Sequence, residues 1–171
     1  MKIKLIFLFL LAGLNLFSCR SGNSGPGAIS PWIWVSGSNI VNQPGVYGTP
    51  GQPAPGNVPG GRRNPVSWID KSGNLWLFGG AGYDSAGHLG DLNDLWKFDG
   101  TNWIWQSGNK LVNQTGIYGT QGTAAVGNIP GGRPYAARWI DGSGTLWLFG
   151  GAGYDSTGNV GDLNDLWRYK P

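Results

Sequence analysis

Leu75-Trp76-Leu77-Phe78-Gly79-Gly80-Ala81-Gly82-Tyr83-Asp84-Ser85 recurs without change as Leu146-Trp147-Leu148-Phe149-Gly150-Gly151-Ala152-Gly153-Tyr154-Asp155-Ser156. Four large apolar residues lead into a glycine pair. An apolar run this short, bounded by glycine, predicts a buried β-strand rather than a helix. The glycines are expected to end that strand, and the chain to turn after them.

The recurrence extends outward from this stretch. Shifted by 71 residues, the chain lies on itself without a gap. Trp32-Ile33-Trp34 becomes Trp103-Ile104-Trp105, Val41-Asn42-Gln43 becomes Val112-Asn113-Gln114, and Pro59-Gly60-Gly61-Arg62 becomes Pro130-Gly131-Gly132-Arg133. Asp91-Leu92-Asn93-Asp94-Leu95-Trp96 likewise becomes Asp162-Leu163-Asn164-Asp165-Leu166-Trp167. Roughly two-thirds of positions agree between residues 32–100 and 103–171. A period this long marks a repeat built from one supersecondary unit.

Each copy reads as four strands. In the first copy they are expected over residues 64–70, 75–78, 93–98 and 103–107. Lys71-Ser72-Gly73-Asn74 is a tight turn with a late glycine. Residues 79–91, rich in Gly, Asp and Ser, read as a loop. Asp99-Gly100-Thr101-Asn102 carries the Asp-Gly hairpin signal. Four antiparallel strands joined in this way make one blade of a β-propeller.

Gly79-Gly80 after an apolar strand, then Leu95-Trp96, then Trp103 about 24 residues after Gly79 resembles the kelch motif. The fuller pattern, with Trp-Ile-Trp, Val-Asn-Gln and Asn-Asp-Leu-Trp, resembles bacterial kelch-repeat proteins of the galactose-oxidase-like propeller group. The likeness covers residues 32–171, in register in both copies. The resemblance implies an all-β fold of kelch-type blades, two four-stranded antiparallel sheets forming an incomplete propeller. The repeat exceeds the ~50 residues usual for kelch. The excess is a Gly-, Pro- and Asn-rich loop between blades, over residues 38–61 and 109–132.

The first copy opens on a fourth strand, residues 32–36, and the last closes after a third. In propellers such a leftover strand can complete the last blade and protect its edge. Two blades cannot close a ring, since propellers take about 4–8. Three arrangements remain open: a homo-oligomer such as a trimer sharing its leftover strands, a truncated remnant of a longer kelch propeller, or two blades packed as a small sandwich.

Composition agrees with a folded β-protein. The chain has 171 residues, with 32 Gly and 11 Pro, yet also 10 Trp, 6 Tyr and 6 Phe. Disordered chains are poor in aromatics. Glu is absent and Lys is sparse, so strong helix formers are few.

The N-terminus reads as a targeting segment. Met1-Lys2-Ile3-Lys4 is positively charged, and residues 5–16 are apolar but too short to span a bilayer. Leu16-Phe17-Ser18-Cys19 resembles a bacterial lipobox. That likeness implies a signal peptide over residues 1–18, lipidation of Cys19, a flexible tether over residues 19–31 and a place on the bacterial envelope. Arg20 follows Cys19, where an Asp is associated with inner-membrane retention in some bacteria, which tilts the expectation toward the outer membrane or cell surface. An ordinary secretory signal is the alternative. Cys19 is the only Cys, so no internal disulfide can form. Several acyl chains together anchor firmly where one binds marginally. Loss of Lys2 and Lys4 leaves ten basic against nine acidic side chains, and no charge argument for nucleic-acid binding.

Galactose-oxidase-like relatives raise the possibility of a copper site with His, Tyr and Cys. This chain has one His, His88, whose counterpart is Asn159, and its single Cys lies in the lipobox. No metal or cofactor is expected, and His88 reads as a solvated loop residue. It is also the sole candidate base for a catalytic triad. Asp84, Asp91 and Asp94, with Asp155, Asp162 and Asp165, could offer oxygen ligands, but their spacing matches no EF-hand. Asp in turns more often bonds its own backbone.

Arg62 and Arg133 each follow Gly-Gly, where a propeller's first strand begins near the central channel. Each could pair with Asp94 or Asp165, or face a ligand. Trp76, Trp96 and Trp103 read as core. Tyr83 and Tyr154, with Tyr47 and Tyr118, read as loop aromatics expected to be exposed. Binding concentrates in loops on rigid scaffolds. The expected function is therefore a lipid-anchored, non-enzymatic envelope module that binds protein or glycan, with Tyr83, Tyr154, Arg62 and Arg133 as candidate contacts. A lectin-like oligomeric propeller is the alternative.

Overall fold

The computed structural model describes residues 31–171. The expected signal peptide, Cys19 and the tether up to residue 30 lie outside the described residues. Residues 31–34 belong to a unit separate from the rest. They are exposed and form no strand.

The larger unit, Val35–Pro171, is all β, with no helix among the described residues. Its first sheet contains β1 (Arg62–Arg63), β2 (Val66–Ile69), β3 (Leu75–Tyr83), β4 (Leu89–Phe98) and β5 (Trp103–Ser107). Its second contains β6 (Ala137–Ile140), β7 (Leu146–Tyr154) and β8 (Val160–Tyr169). Every pairing is antiparallel. β1 and β2 share one edge of β3, then β4 and β5 follow; the second sheet runs β6-β7-β8. The expected pair of four-stranded sheets is thus a five-stranded and a three-stranded sheet.

Two expectations are corrected by this topology. The glycine pair does not end a strand. β3 continues through Gly79-Gly80 to Tyr83, and β4 begins at Leu89, so the expected loop over residues 79–91 shrinks to residues 84–88. The pairing register shifts between Phe78 and Gly80, which marks a β-bulge, and again between Phe149 and Gly151. Gly79 and Gly80 have φ of 61° and 93°, a left-handed backbone that glycine adopts without strain. Glycine here lets the strand kink and go on. Residues 32–36, expected as a fourth strand, form none.

Short Asp turns join the strands. Asp70 Oδ1 accepts from the N–H groups of Ser72 and Asn74, both at 2.9 Å, and its Oδ2 accepts from Trp76 Nε1 at 2.9 Å. Asp141 does the same for Ser143, Thr145 and Trp147. These side chains satisfy turn donors that no strand would pair.

The sheets pack face to face. Val66, Trp68, Trp76, Phe78 and Leu95 of the first meet Ala136, Leu146 and Leu148 of the second in one buried cluster. Alternation along β2 puts Val66 and Trp68 inward and Ser67 and Ile69 outward. Each large apolar side chain buried there contributes about 1.5–3 kcal/mol. Backbone bonds stitch the same junction: Arg133 N–H donates to Leu92 O at 3.1 Å, and Gly80 N–H donates to Arg133 O at 3.0 Å. A smaller cluster of Tyr47, Trp96 and Trp105 lies at the β4–β5 side of the first sheet.

Candidate functional site

The long interblade loops fold back on themselves. Val46 bridges Val58, and Ile117 bridges Ile129, each pair antiparallel. This closure carries Tyr47 and Tyr118 inward onto the sheets.

In the first repeat it completes a buried polar node. Arg62 Nη1 donates to Asp94 Oδ1 at 2.6 Å, and Nη2 donates to Asp94 Oδ2 at 2.8 Å. Arg62 also donates from Nε to Gly60 O and from Nη1 to Gly79 O, at 3.0 and 3.1 Å. Asp94 Oδ2 further accepts from Tyr47 Oη at 2.7 Å and Trp96 Nε1 at 2.6 Å. The Asp94 side chain is fully buried. Its charge is tolerable there because a fork-shaped cation and two neutral donors surround it. The Gly79 carbonyl reaches Arg62 because the bulge turns it off the strand ladder. Burial pushes the Tyr47 hydroxyl far above its ordinary pKa, and the adjacent Asp94 charge adds to the effect.

The second repeat builds the same node from Arg133, Asp165, Tyr118 and Trp167. Arg133 pairs with Asp165 at 2.5 and 2.8 Å, and Tyr118 Oη donates to Asp165 Oδ2 at 2.6 Å. Burial raises the Asp165 carboxyl, but bonds from Arg133, Trp167 and Tyr118 outweigh it and hold the group below its usual range. Burial raises Tyr118.

Arg62 and Arg133 are thus each committed to an Asp in the same repeat, on β4 or β8. Tyr47 is buried, at 3% exposure, which corrects the expectation that it projects to solvent. The closed loop and its bond to Asp94 hold it there. Tyr118 is half-buried against the Trp167 ring, with centroids 4.9 Å apart. The recurrence of all four members at one 71-residue spacing was the available signal. Loop composition alone pointed Tyr47 the wrong way.

Tyr83 and Tyr154 close β3 and β7, opposite Leu89 and Val160, and both are half-buried. The structure does not bring them to the arginines' carboxylate nodes. They flank the short hairpin loops instead. Asp84 shapes the first loop, its Oδ1 accepting from Ala86 and His88 N–H groups at 2.8 and 2.9 Å. Burial raises Asp84, but the N–H groups of His88, Val112 and Ala86 bring it below its ordinary value. Asp155 takes the same place in the second loop, where bonds from Thr157 and Asn159 lower it to about 2. The His88 side chain is 71% exposed, with Nδ1 3.3 Å from Asp84 Oδ2. Its expected solvated position agrees with this.

Beside the first loop runs an open groove of about 420 Å³, lined by Ser85, Trp105, Gly108, Asn109, Lys110 and Leu111. Lys110 Nζ lies 5.2 Å from the Trp105 ring centre, a cation–π contact. Among the described residues, no three His, Cys, Asp or Glu side chains gather to hold a metal ion. A scan of family models finds no match to the chain, and a search of curated proteins finds none.

Proposed function

We propose that this chain is a lipid-anchored, non-enzymatic module of the bacterial cell envelope, built from kelch-type propeller blades, that binds protein or glycan through its inter-strand loops. One observation carries the reading. Arg62 and Arg133 are tied to Asp94 and Asp165 in the two nodes, whereas the loops of residues 84–88 and 155–159 are fixed from within by Asp84 and Asp155 and turn their other side chains to water. Loops held rigid on a sheet scaffold suit recognition. Half-exposed Tyr83 and Tyr154 flank them and offer rings for stacking on a sugar or packing on a protein.

The blade assignment is supported by the glycine pair, the later Leu-Trp and the Trp at set distance in both copies. The anchor is supported by the charged start, the apolar run and Leu16-Phe17-Ser18-Cys19. Expression in a bacterium with an alkyne-tagged fatty acid tests the anchor. Labelling and membrane retention should vanish in Cys19→Ser, and label surviving that change would sink it. Glycan arrays and envelope-protein capture test the binding. Signal should fall at least tenfold in a folded Tyr83→Ala/Tyr154→Ala variant, and undiminished binding would move the site away from these loops.

A further inference from the structure

The junction between the two sheets has two sides, and the repeat presents each side a second time without a cover among the described residues. On the first sheet, Trp68, Phe78 and Leu95 face the second sheet and are 9%, 4% and 5% exposed. One repeat later the same positions are Trp139, Phe149 and Leu166, at 44%, 43% and 54%. On the other side of the junction, Leu146 is 2% exposed, while its counterpart Leu75 is 42% exposed. The described residues therefore carry two open faces whose chemistry already fits together at the junction between the sheets.

The polar stitching is duplicated too. Within the chain, Asn113 N–H donates to Asp91 O at 2.7 Å, and Asp91 N–H donates to Asn113 Oδ1 at 2.9 Å. Val112 N–H donates to Asp84 Oδ2 at 3.2 Å, and Asn93 Nδ2 donates to Pro130 O at 3.2 Å. The counterparts on the open faces are Asn42 and Val41 on one, and Asp162, Asp155 and Asn164 on the other. Asn42 holds φ of 63°, against 62° for Asn113, so the residue already has the left-handed backbone of its docked counterpart.

Two glycines mark the fit. A Cβ on Gly90 would collide with Asn113 and lie 2.8 Å from Val112 Cβ; on Gly132 it would lie 2.5 Å from Asp91 O. Both glycines are required by the junction. Their counterparts are Gly161, where a Cβ would meet nothing within 4 Å, and Gly61, where it would meet nothing closer than 3.7 Å. Neither has a positive φ. Nothing among the described residues requires glycine at either place, whereas a docked partner would.

We propose that a second copy of this chain docks its first repeat on the open face of the second sheet, head to tail, as the second repeat docks on the first within one chain. The same docking brings residues 32–36 of the incoming copy to the outer edge of β8. There Trp-Ile-Trp-Val-Ser stands in for the Trp-Ile-Trp-Gln-Ser of β5, with Trp34 opposite Trp167 as Trp105 lies opposite Trp96. The contact is heterologous, so its repetition closes a ring or extends a fibre. A ring of about 4–8 sheets would take two to four chains. The inference requires neither the lipid anchor nor any ligand.

Native mass spectrometry of the full chain, released from detergent, tests it. The wild type should be a complex of several chains. Gly61→Leu blocks one face and Gly161→Leu the other, so each alone should be a single chain. An equimolar mixture should recover a two-chain complex, because each variant keeps the face the other lacks. Circular dichroism checks that both variants fold. Should a leucine unfold the chain, Val41→Arg and Leu166→Arg, at positions 78% and 54% exposed, replace them. A single-chain wild type, variants that assemble as the wild type does, or a mixture that stays single-chain would each overturn the proposal.

Discussion

Tyr47 and Tyr118 make the same hydrogen bond in two different surroundings. Each donates to Oδ2 of an Asp, Asp94 on β4 or Asp165 on β8, at 2.7 and 2.6 Å. Tyr47 is sealed by Trp105, edge-on at 5.3 Å, and is 3% exposed; Tyr118 remains half-open. Removing the hydroxyl should therefore have unequal cost. Tyr47→Phe leaves a buried carboxylate short of a donor and should cost about 1–3 kcal/mol. Tyr118→Phe admits water in place of the hydroxyl and should cost less than about 1 kcal/mol. Urea midpoints measure both, and the reverse order would contradict the assigned burial.

Acid should weaken the fold. Asp70, Asp84, Asp141, Asp155 and Asp165 are held below the ordinary carboxylate value in the folded state, by donors from their own turns, from Val112 in the case of Asp84, or from the Arg133 node. A depressed folded-state value gives stability that is present above the unfolded value and lost as pH falls. The urea midpoint should thus drop from about pH 4 down toward about 2, where Asp155 protonates. Asp91, raised by burial, works weakly the other way. A flat profile across this window would refute the turn bonds.

At the alkaline end the sign reverses. Tyr47 is raised, first by burial and then by Asp94, so its contribution is whole below the ordinary tyrosine value of about 10 and declines above it. Ultraviolet titration should show Tyr47 ionising only with unfolding, and its early titration in the folded chain would contradict the node.

The bulge should resist substitution. A Cβ on Gly79 would lie 2.7 Å from Arg133 O and 2.9 Å from Leu92 O, at a positive φ. Gly79→Ala should cost about 1–3 kcal/mol. Gly56→Ala, in open space, should stay within about 0.5 kcal/mol. Thermal melts compare the two, and equal effects would remove the bulge from the account.

Trp68 carries the one buried side-chain donor without a hydrogen-bond partner among the described residues, its Nε1. Trp68→Phe removes that liability along with some packing, so the two should nearly offset. Trp76→Phe loses a 2.9 Å bond to Asp70 and should cost about 1 kcal/mol more. Denaturation of the pair gives the difference, and equal losses would mean that the Trp68 nitrogen is satisfied.

Periodicity and the turn residues read correctly where forces are local. Asp70 and Asp99 cap the turns that composition assigned to them, and β5 spans residues 103–107 as expected. The glycine pair misled because glycine both ends strands and kinks them, and the contacts that the kink makes, Gly79 O with Arg62 and Gly80 N–H with Arg133 O, lie outside the local sequence. Tyr47 misled for the same reason: its loop is polar, but its partner is Asp94 across the fold. The 71-residue recurrence held both answers, since a charge pair and its hydroxyl donor were kept together.

The edge of β8 gives the chain a direction. In a stack of repeats each unit is steadied by its neighbours, and among the described residues the first sheet has β5 beyond β4 where the second has no strand beyond β8. Amide exchange should follow that asymmetry, with outward N–H groups of β8 opening first and those of β3 surviving until global unfolding. The described fold would then open from β8 inward, and the slowest-exchanging core would lie around the bulge at Gly79.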